Sequence, residues 1–205
     1  MQVQRLAEVE ATEYARLMQR SAADVQRVLP QVQAIMEAVR ERGDAAVREF
    51  AARFDGVQLH DIRVSAEERA AARQQVEPAL IESLQRARDN LERFHRQQLP
   101  QEQVDELQPG VRTGRLWRPI ETVGLYAPGG KAPYPSTVLM LGVPAQVAGC
   151  QQRVLCIPPS PDGTVSSAML VAADLVGIHE VFKIGGAQAI EIGRASCRER
   201  VYVLV

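Results

Sequence analysis

The 205-residue chain has little charge of either sign in excess, since 24 Lys and Arg stand against 25 Asp and Glu for a formal charge of −1. A balance of that kind leaves no broad basic field for nucleic acid or an anionic membrane surface, so neither is expected as a partner. Long apolar runs are missing too. The most apolar stretch, Ser136 to Ala148, is interrupted by Pro144 and Gln146 and falls short of the roughly 20 residues that a membrane-spanning helix needs. The first residues, with acids from Glu8 onward, lack an apolar segment followed by a small-residue cleavage site, so export is not expected. Cysteine is scarce and odd in number, Cys150, Cys156 and Cys197 with no CxxC pair. That excludes a disulfide scaffold or a thiolate zinc site and fits a reducing cytoplasm.

What is present divides by composition. Thirty-seven of the 49 charged residues lie before Pro119, whereas eight of the 12 prolines and ten of the 14 glycines lie from Pro119 onward. The first part reads as long exposed helices and the second as short buried elements joined by tight turns, with a boundary near Arg118 and Pro119.

In the first part, Ser21 can cap a helix carrying Val25, Val28, Val32, Ile35, Met36 and Val39 on one face and stopped by Gly43, with Pro30 as a kink or a later start. Another helix runs from Asp44 through Val47, Phe50 and Phe54 to an Asp55-Gly56 turn, and QLHDIRV is a short extended piece. Ser65 with Glu68 has capping-box spacing, and Pro78 suits a first helical turn leading through Leu80, Leu84, Leu91 and Phe94.

From Val111 the period shifts from helical to alternating. VRTGRLWRPI and the run Val123–Tyr126 read as strands; Ser136 caps a helix; RVLCIPP is a buried strand, Val165 to Val176 a helix, EVFKIGG a strand, and Ala187 opens a further helix. Strands alternating with helices imply a parallel sheet, half of a doubly wound α/β domain. No fixed-period repeat or low-complexity tract is present.

In such sheets ligands bind beyond the carboxyl ends of the strands. Two segments fall there, Tyr126-Ala127-Pro128-Gly129-Gly130-Lys131 and Gly185-Gly186-Ala187-Gln188. Glycine lets a phosphate approach the backbone, Tyr126 can stack on a base or ribose, and Gln188 both donates and accepts. The same glycines also serve plain turns, and on the residues alone both readings stand. A Walker loop is absent, because Leu125 and Ala132 occupy its required glycine and Ser/Thr positions, and no GxGxxG follows a strand. His60, His95 and His179 are far apart and suggest no metal set. Cys150 and Cys156 read as small buried thiols, and Trp117 as packing at the domain junction.

The phrases RGDAAVREFAARFDGVQL, QPGVRTGRLWRPIETVGLYAPGGKAPYPSTVLMLGVPAQVAGC and VFKIGGAQAI, in this order, resemble the amino-terminal half of histidinol dehydrogenases, from about Asp24 to Ile190. The resemblance implies an α/β fold of the aldehyde dehydrogenase-like superfamily. A helical region (1–118) precedes an incomplete Rossmann-like parallel βαβαβ unit (119–191). It further implies a cytoplasmic homodimer that uses NAD and zinc to oxidise L-histidinol through the aldehyde to L-histidine. The family's NAD-contacting tyrosine and glutamine match Tyr126 and Gln188. Its zinc ligands and acid/base pair lie downstream of the matching region, so neither a metal ligand nor a catalytic residue is assigned, and the chain alone is expected to be inactive. After Ile190 the family pattern stops, and 192–205 is expected to be a non-native tail. The alternatives are a stand-alone nucleotide-binding module without redox chemistry and a helical dimerisation piece without a ligand.

Overall fold

A computed structural model describes residues 9–18, 22–129 and 132–196 of the chain. The Ser21 cap, Gly130, Lys131, Cys197 and the end of the expected tail lie outside the described residues. Helices α1 (Ala11–Met18) and α2 (Ala22–Arg42) come first, and α2 runs through Pro30 without a break in its helical assignment. Gly43, at φ +56°, turns the chain into α3 (Asp44–Phe50), which continues as a π-helical turn over Ala51–Asp55 and ends at left-handed Gly56, where the Asp-Gly pair predicts a stop. Helix α4 (Ala66–Gln75) begins with both halves of the expected capping box: the Ser65 hydroxyl accepts from the Glu68 N–H at 3.1 Å, and the Glu68 carboxylate accepts from the Ser65 N–H at 2.7 Å. Pro78 then opens α5 (Pro78–Arg96). Of its expected apolar stripe, Leu84 is buried and Leu91 partly so, while Leu80 and Phe94 are exposed.

Strands β1 (Gln103–Gln108) and β2 (Val111–Arg115) form an antiparallel ribbon. The sequence reading gave β2 but missed β1, because QVDELQ carries two acids and too few β-branched residues to signal a strand. Every residue of the ribbon is exposed, and Trp117 just beyond it is half-exposed rather than packed at a junction, which corrects that expectation.

The remainder alternates as expected: β3 (Thr122–Tyr126), α6 (Pro135–Val147), β4 (Gln152–Ile157), α7 (Ser167–Leu175), β5 (Glu180–Lys183) and α8 (Gly186–Ser196). One detail differs. Tyr134 occupies the N-cap of α6 and Pro135 its first turn, so Ser136 lies inside the helix and does not cap it. Proline wins that position because its fixed φ suits the first turn and its missing N–H has no helical partner to lose there.

The three strands pair in parallel in the order β3-β4-β5, with Tyr126 opposite Cys156 and Cys156 opposite Phe182. Successive side chains point to opposite faces of a sheet. Val123, Leu125, Leu155, Ile157 and Val181 therefore enter one core, shared with α4, α5, α6 and α7, while Tyr126, Cys156 and Phe182 enter another, shared with α2, α3 and α8. The larger core crosses Pro119: Val64, Ala72, Val76 and Leu84 of the helical part pack with the sheet helices. The outer edge of β5 is covered, since the Val64 N–H donates to Val181 O at 2.9 Å and the Lys183 N–H to Ile62 O at 2.7 Å. This pairing is the extended piece foreseen around QLHDIRV.

Candidate functional site

At the carboxyl edge of the sheet, the segments leaving the three strands meet at Pro158. A Cβ on Gly129, after β3, would stand 3.3 Å from Pro158 O, and one on Gly185, after β5, would stand 3.0 Å from Pro158 Cβ and Cγ. Contacts that short are tighter than a Cβ ordinarily makes, so glycine at both positions lets the first and third segments close on the second without displacing it. The Ala127 N–H extends the pairing beyond β3 by donating to Cys156 O at 3.1 Å. A cavity of about 70 Å³ lies under this edge, lined by Gly129, Pro158, Ser160 and Ser166 among others.

Tyr126 closes β3 on the face shared with α8, where its ring is half-buried against the second core. Gln188 stands in the first turn of α8, which lies on that same face and packs against β3 rather than against β5, from which it springs. The fold thus brings Tyr126 and Gln188 to one side of the sheet. It exposes them unequally: Gln188 is only 2% exposed. A Cβ on Gly186, which sits at φ +60°, would be 2.8 Å from Gln188 Oε1, so the carboxamide is folded over this glycine and closed to solvent. A phenol ring and a carboxamide offer stacking and neutral hydrogen bonds, with no general base between them.

Beside β5 is a larger cavity of about 870 Å³ with Arg48, Arg63, Glu68, Arg69, His179 and Lys183 on its walls. Its cations have partners within the chain. Arg48 donates to His60 O at 3.3 Å, Arg63 to the Glu180 carboxylate, and Arg69 meets His179 Nδ1 at 3.0 Å. The buried Lys183 ammonium donates to Glu68 Oε1 at 2.5 Å. Burial alone would push the Glu68 carboxyl up, but hydrogen bonds from Lys183 and the Ser65 N–H, with the lysine charge, hold it below its ordinary value. Sequence reading saw the capping box and missed this second use of Glu68. The available signal was a lysine inside the otherwise apolar run VFKI.

His60, His95 and His179 are separately placed, His95 bonding Gln98 at 2.7 Å. Among the described residues no group of three or more His, Cys, Asp or Glu is placed to hold a metal ion. Cys150 and Cys156 are free and buried, as expected, and burial raises both thiols, that of Cys156 to about 12.

A family model described as histidinol dehydrogenase matches residues 18–196. The chain belongs to the histidinol dehydrogenase family. It is 46% identical over 186 residues to the histidinol dehydrogenase of Methanothermobacter thermautotrophicus, covering 91% of this chain and 44% of that protein. To the histidinol dehydrogenase of Xanthomonas euvesicatoria it is 52% identical over 159 residues, covering 78% of this chain and 37% of the relative. The crystal structure of histidinol dehydrogenase from Elizabethkingia anophelis superposes with a TM-score of 0.78 at 41% identity, covering 89% of this chain and 42% of that one. The chain thus spans less than half the length of these relatives, and the family match over 18–196 takes in α2 to α8, the parallel sheet and the positions of Tyr126 and Gln188.

Proposed function

We propose that this chain is the cofactor-platform portion of a histidinol dehydrogenase, in which Tyr126 and Gln188 hold NAD. The observation that carries the reading is the common placement of these two side chains: one ends β3 and the other opens α8, on a single face at the carboxyl edge of a parallel sheet. That edge is where open α/β sheets seat ligands. The residues fit the cofactor in kind. The glycines at 129, 185 and 186 keep the approaching backbone bare, the Tyr126 ring supplies a stacking face, and the Gln188 carboxamide donates and accepts. Bound there, NAD would supply the hydride acceptor twice in succession, one molecule taking a hydride as L-histidinol becomes the aldehyde and a second taking another as the aldehyde, with water added, becomes L-histidine.

The zinc that the family implies finds no fitting ligand set among the described residues, so no residue of this chain is assigned to it and no step is routed through it. No catalytic residue is assigned either. The chain's part is to bind and orient the nucleotide. The same reading places the fold in the aldehyde dehydrogenase-like superfamily and the whole enzyme as a cytoplasmic homodimer. It assigns 1–118 to a helical region, 119–191 to the partial nucleotide-binding domain, and 192–205 to a foreign segment, although 192–196 still fall within the family match; genomic sequence beyond the Ile190 codon checks this.

Calorimetric titration of the purified chain with NAD tests the proposal. Saturable binding is expected, weakened at least tenfold by Tyr126→Ala and by Gln188→Ala in variants whose circular dichroism matches the parent. The chain alone is expected to form no NADH from histidinol. Absence of saturable binding by a folded chain, or binding indifferent to both substitutions, refutes the assignment.

A further inference from the structure

Carried past its last paired residues, the register of the sheet sets three positions abreast. Tyr126 lies opposite Cys156 and Ile157 opposite Lys183, so Pro128, Pro158 and Ile184 stand in one row at the carboxyl edge. Two of the three are prolines, which carry no N–H and cannot extend the ladder. Among the described residues, the last backbone bond between the β3 and β4 segments runs from the Ala127 N–H to Cys156 O at 3.1 Å. Beyond it the segments are related by packing.

Pro158 is the residue on which they pack. A Cβ on Gly129 would stand 3.3 Å from its carbonyl oxygen and 3.5 Å from its Cδ, and a Cβ on Gly185 would stand 3.0 Å from its Cβ and Cγ. The two glycines thus lean on different parts of one residue. Gly185 is also where α8 begins, because its carbonyl accepts from the Ala189 N–H at 3.4 Å, so the proline ring bears on the origin of the turn that holds Gln188. Pro158 is itself stiff. Its ring fixes φ, the following Pro159 confines its ψ to extended values, and Pro159 is buried. The flanking segments are the pliable ones, with Gly129 and Gly130 on one side and Gly185 and Gly186 on the other.

We infer that Pro158 is a positioning residue, a stiff spacer that sets the separation between the segment carrying Tyr126 and the segment carrying Gln188 and transmits a displacement of either one to the other. It acts through Gly129 and Gly185. The inference rests on the cofactor reading for its ligand, since a dinucleotide held by a ring from one segment and a carboxamide from the other needs the two at a set distance. The coupling of the two segments stands apart from that reading.

The Ala127 and Ala189 amides report the two sides, and NMR follows their hydrogen exchange in the full 205-residue chain. Pro158→Gly, which deletes the ring and frees the backbone, should speed both together by about tenfold, with Pro158→Ala in between and the Leu84 and Leu91 amides of α5 unchanged. NAD affinity, titrated where circular dichroism shows each variant folded, should fall in the same order, by roughly fivefold in Pro158→Gly. Gly185→Ala approaches the proline from the other side and serves equally if Pro158→Gly does not fold: pressing a Cβ on the ring, it should speed exchange at Ala127, across the spacer. Exchange that changes on one side only, or on neither, overturns the inference, as does NAD affinity left unchanged by every folded variant of a chain that binds the cofactor. Coupled exchange in a chain that binds no NAD would instead sink the cofactor reading and leave the spacer standing.

Discussion

Removing Glu68 should harm the fold far more than removing the lysine it faces. Lys183 is buried, with 9% of its side chain exposed, whereas Glu68 keeps 36%. In Glu68→Ala the ammonium stays where it is, held by β5 between β4 and residues 62–64, and loses its 2.5 Å contact with the Glu68 carboxylate. Breaking a buried pair from one side costs about 3–5 kcal/mol, and the solvent already around Glu68 reduces that to roughly 2–3. Loss of the carboxylate half of the capping box adds about 0.5 kcal/mol. Lys183→Met removes the buried charge and keeps the bulk of the stem. Glu68 then retains the Ser65 N–H and water, and the cost should stay below about 1 kcal/mol. For a chain of this size each kcal/mol moves Tm by about 2–4 °C, so Glu68→Ala is expected to lower Tm by roughly 5–14 °C and Lys183→Met by less than about 4 °C. Calorimetric scans of both variants and the double variant complete a cycle in which the double should resemble Lys183→Met. The pH dependence has a definite sign. Because the folded Glu68 carboxyl is held below its ordinary 4.5, its contribution is present above that value and is lost as pH falls through the lower folded one, so the parent and Glu68→Gln should converge in acid. Equal costs for the two single variants, or a larger cost for Lys183→Met, would refute the reasoning.

Gly142 on α6 faces Val176, and a Cβ there would stand 2.5 Å from Val176 Cγ2 and 3.1 Å from Ile178 Cδ1. Gly142→Ala should therefore cost about 1–3 kcal/mol by denaturant unfolding, and Val176→Ala should recover part of the loss when combined with it. Arg153 ties the turns before β4 and β5 by donating to Cys150 O at 3.0 Å and to Gly177 O at 3.1 Å. Arg153→Met should cost roughly 2 kcal/mol through the carbonyls left behind, read by the same unfolding curves, and an unchanged curve would count against that role. With the Cys156 thiol pushed up to about 12 by burial and that of Cys150 also raised, alkylation at pH 8 followed by peptide mass mapping should find both unlabelled in the folded chain and labelled in denaturant. Rapid labelling of Cys156 under native conditions would show the second core to be open.

Much of this architecture was legible because its signals are local. The Ser65–Glu68 spacing, the proline at 78 and the glycine-ended runs each fix a backbone state within a few residues, and each is found where it was read, whereas the change from helix to strand read at Val111 comes earlier, at Gln103. Where reading failed, either a stronger local cue or a partner distant in sequence had decided the outcome. Pro135 displaced Ser136 from the cap, Trp117 stayed exposed, and QVDELQ became a strand only by pairing with residues 111–115.

By itself, then, the order of residues determined the alternation of strands and helices, the turns that separate them, and the motifs YAPGG and GGAQAI that mark the family. Tertiary structure alone decided which face of the sheet receives Tyr126, that α8 crosses to β3 and closes over Gln188, and that Glu68 reaches a lysine 115 positions away. The physical reason is range. Backbone preferences and caps act over a few bonds, whereas burial and ion pairing depend on which surfaces the folded chain brings together.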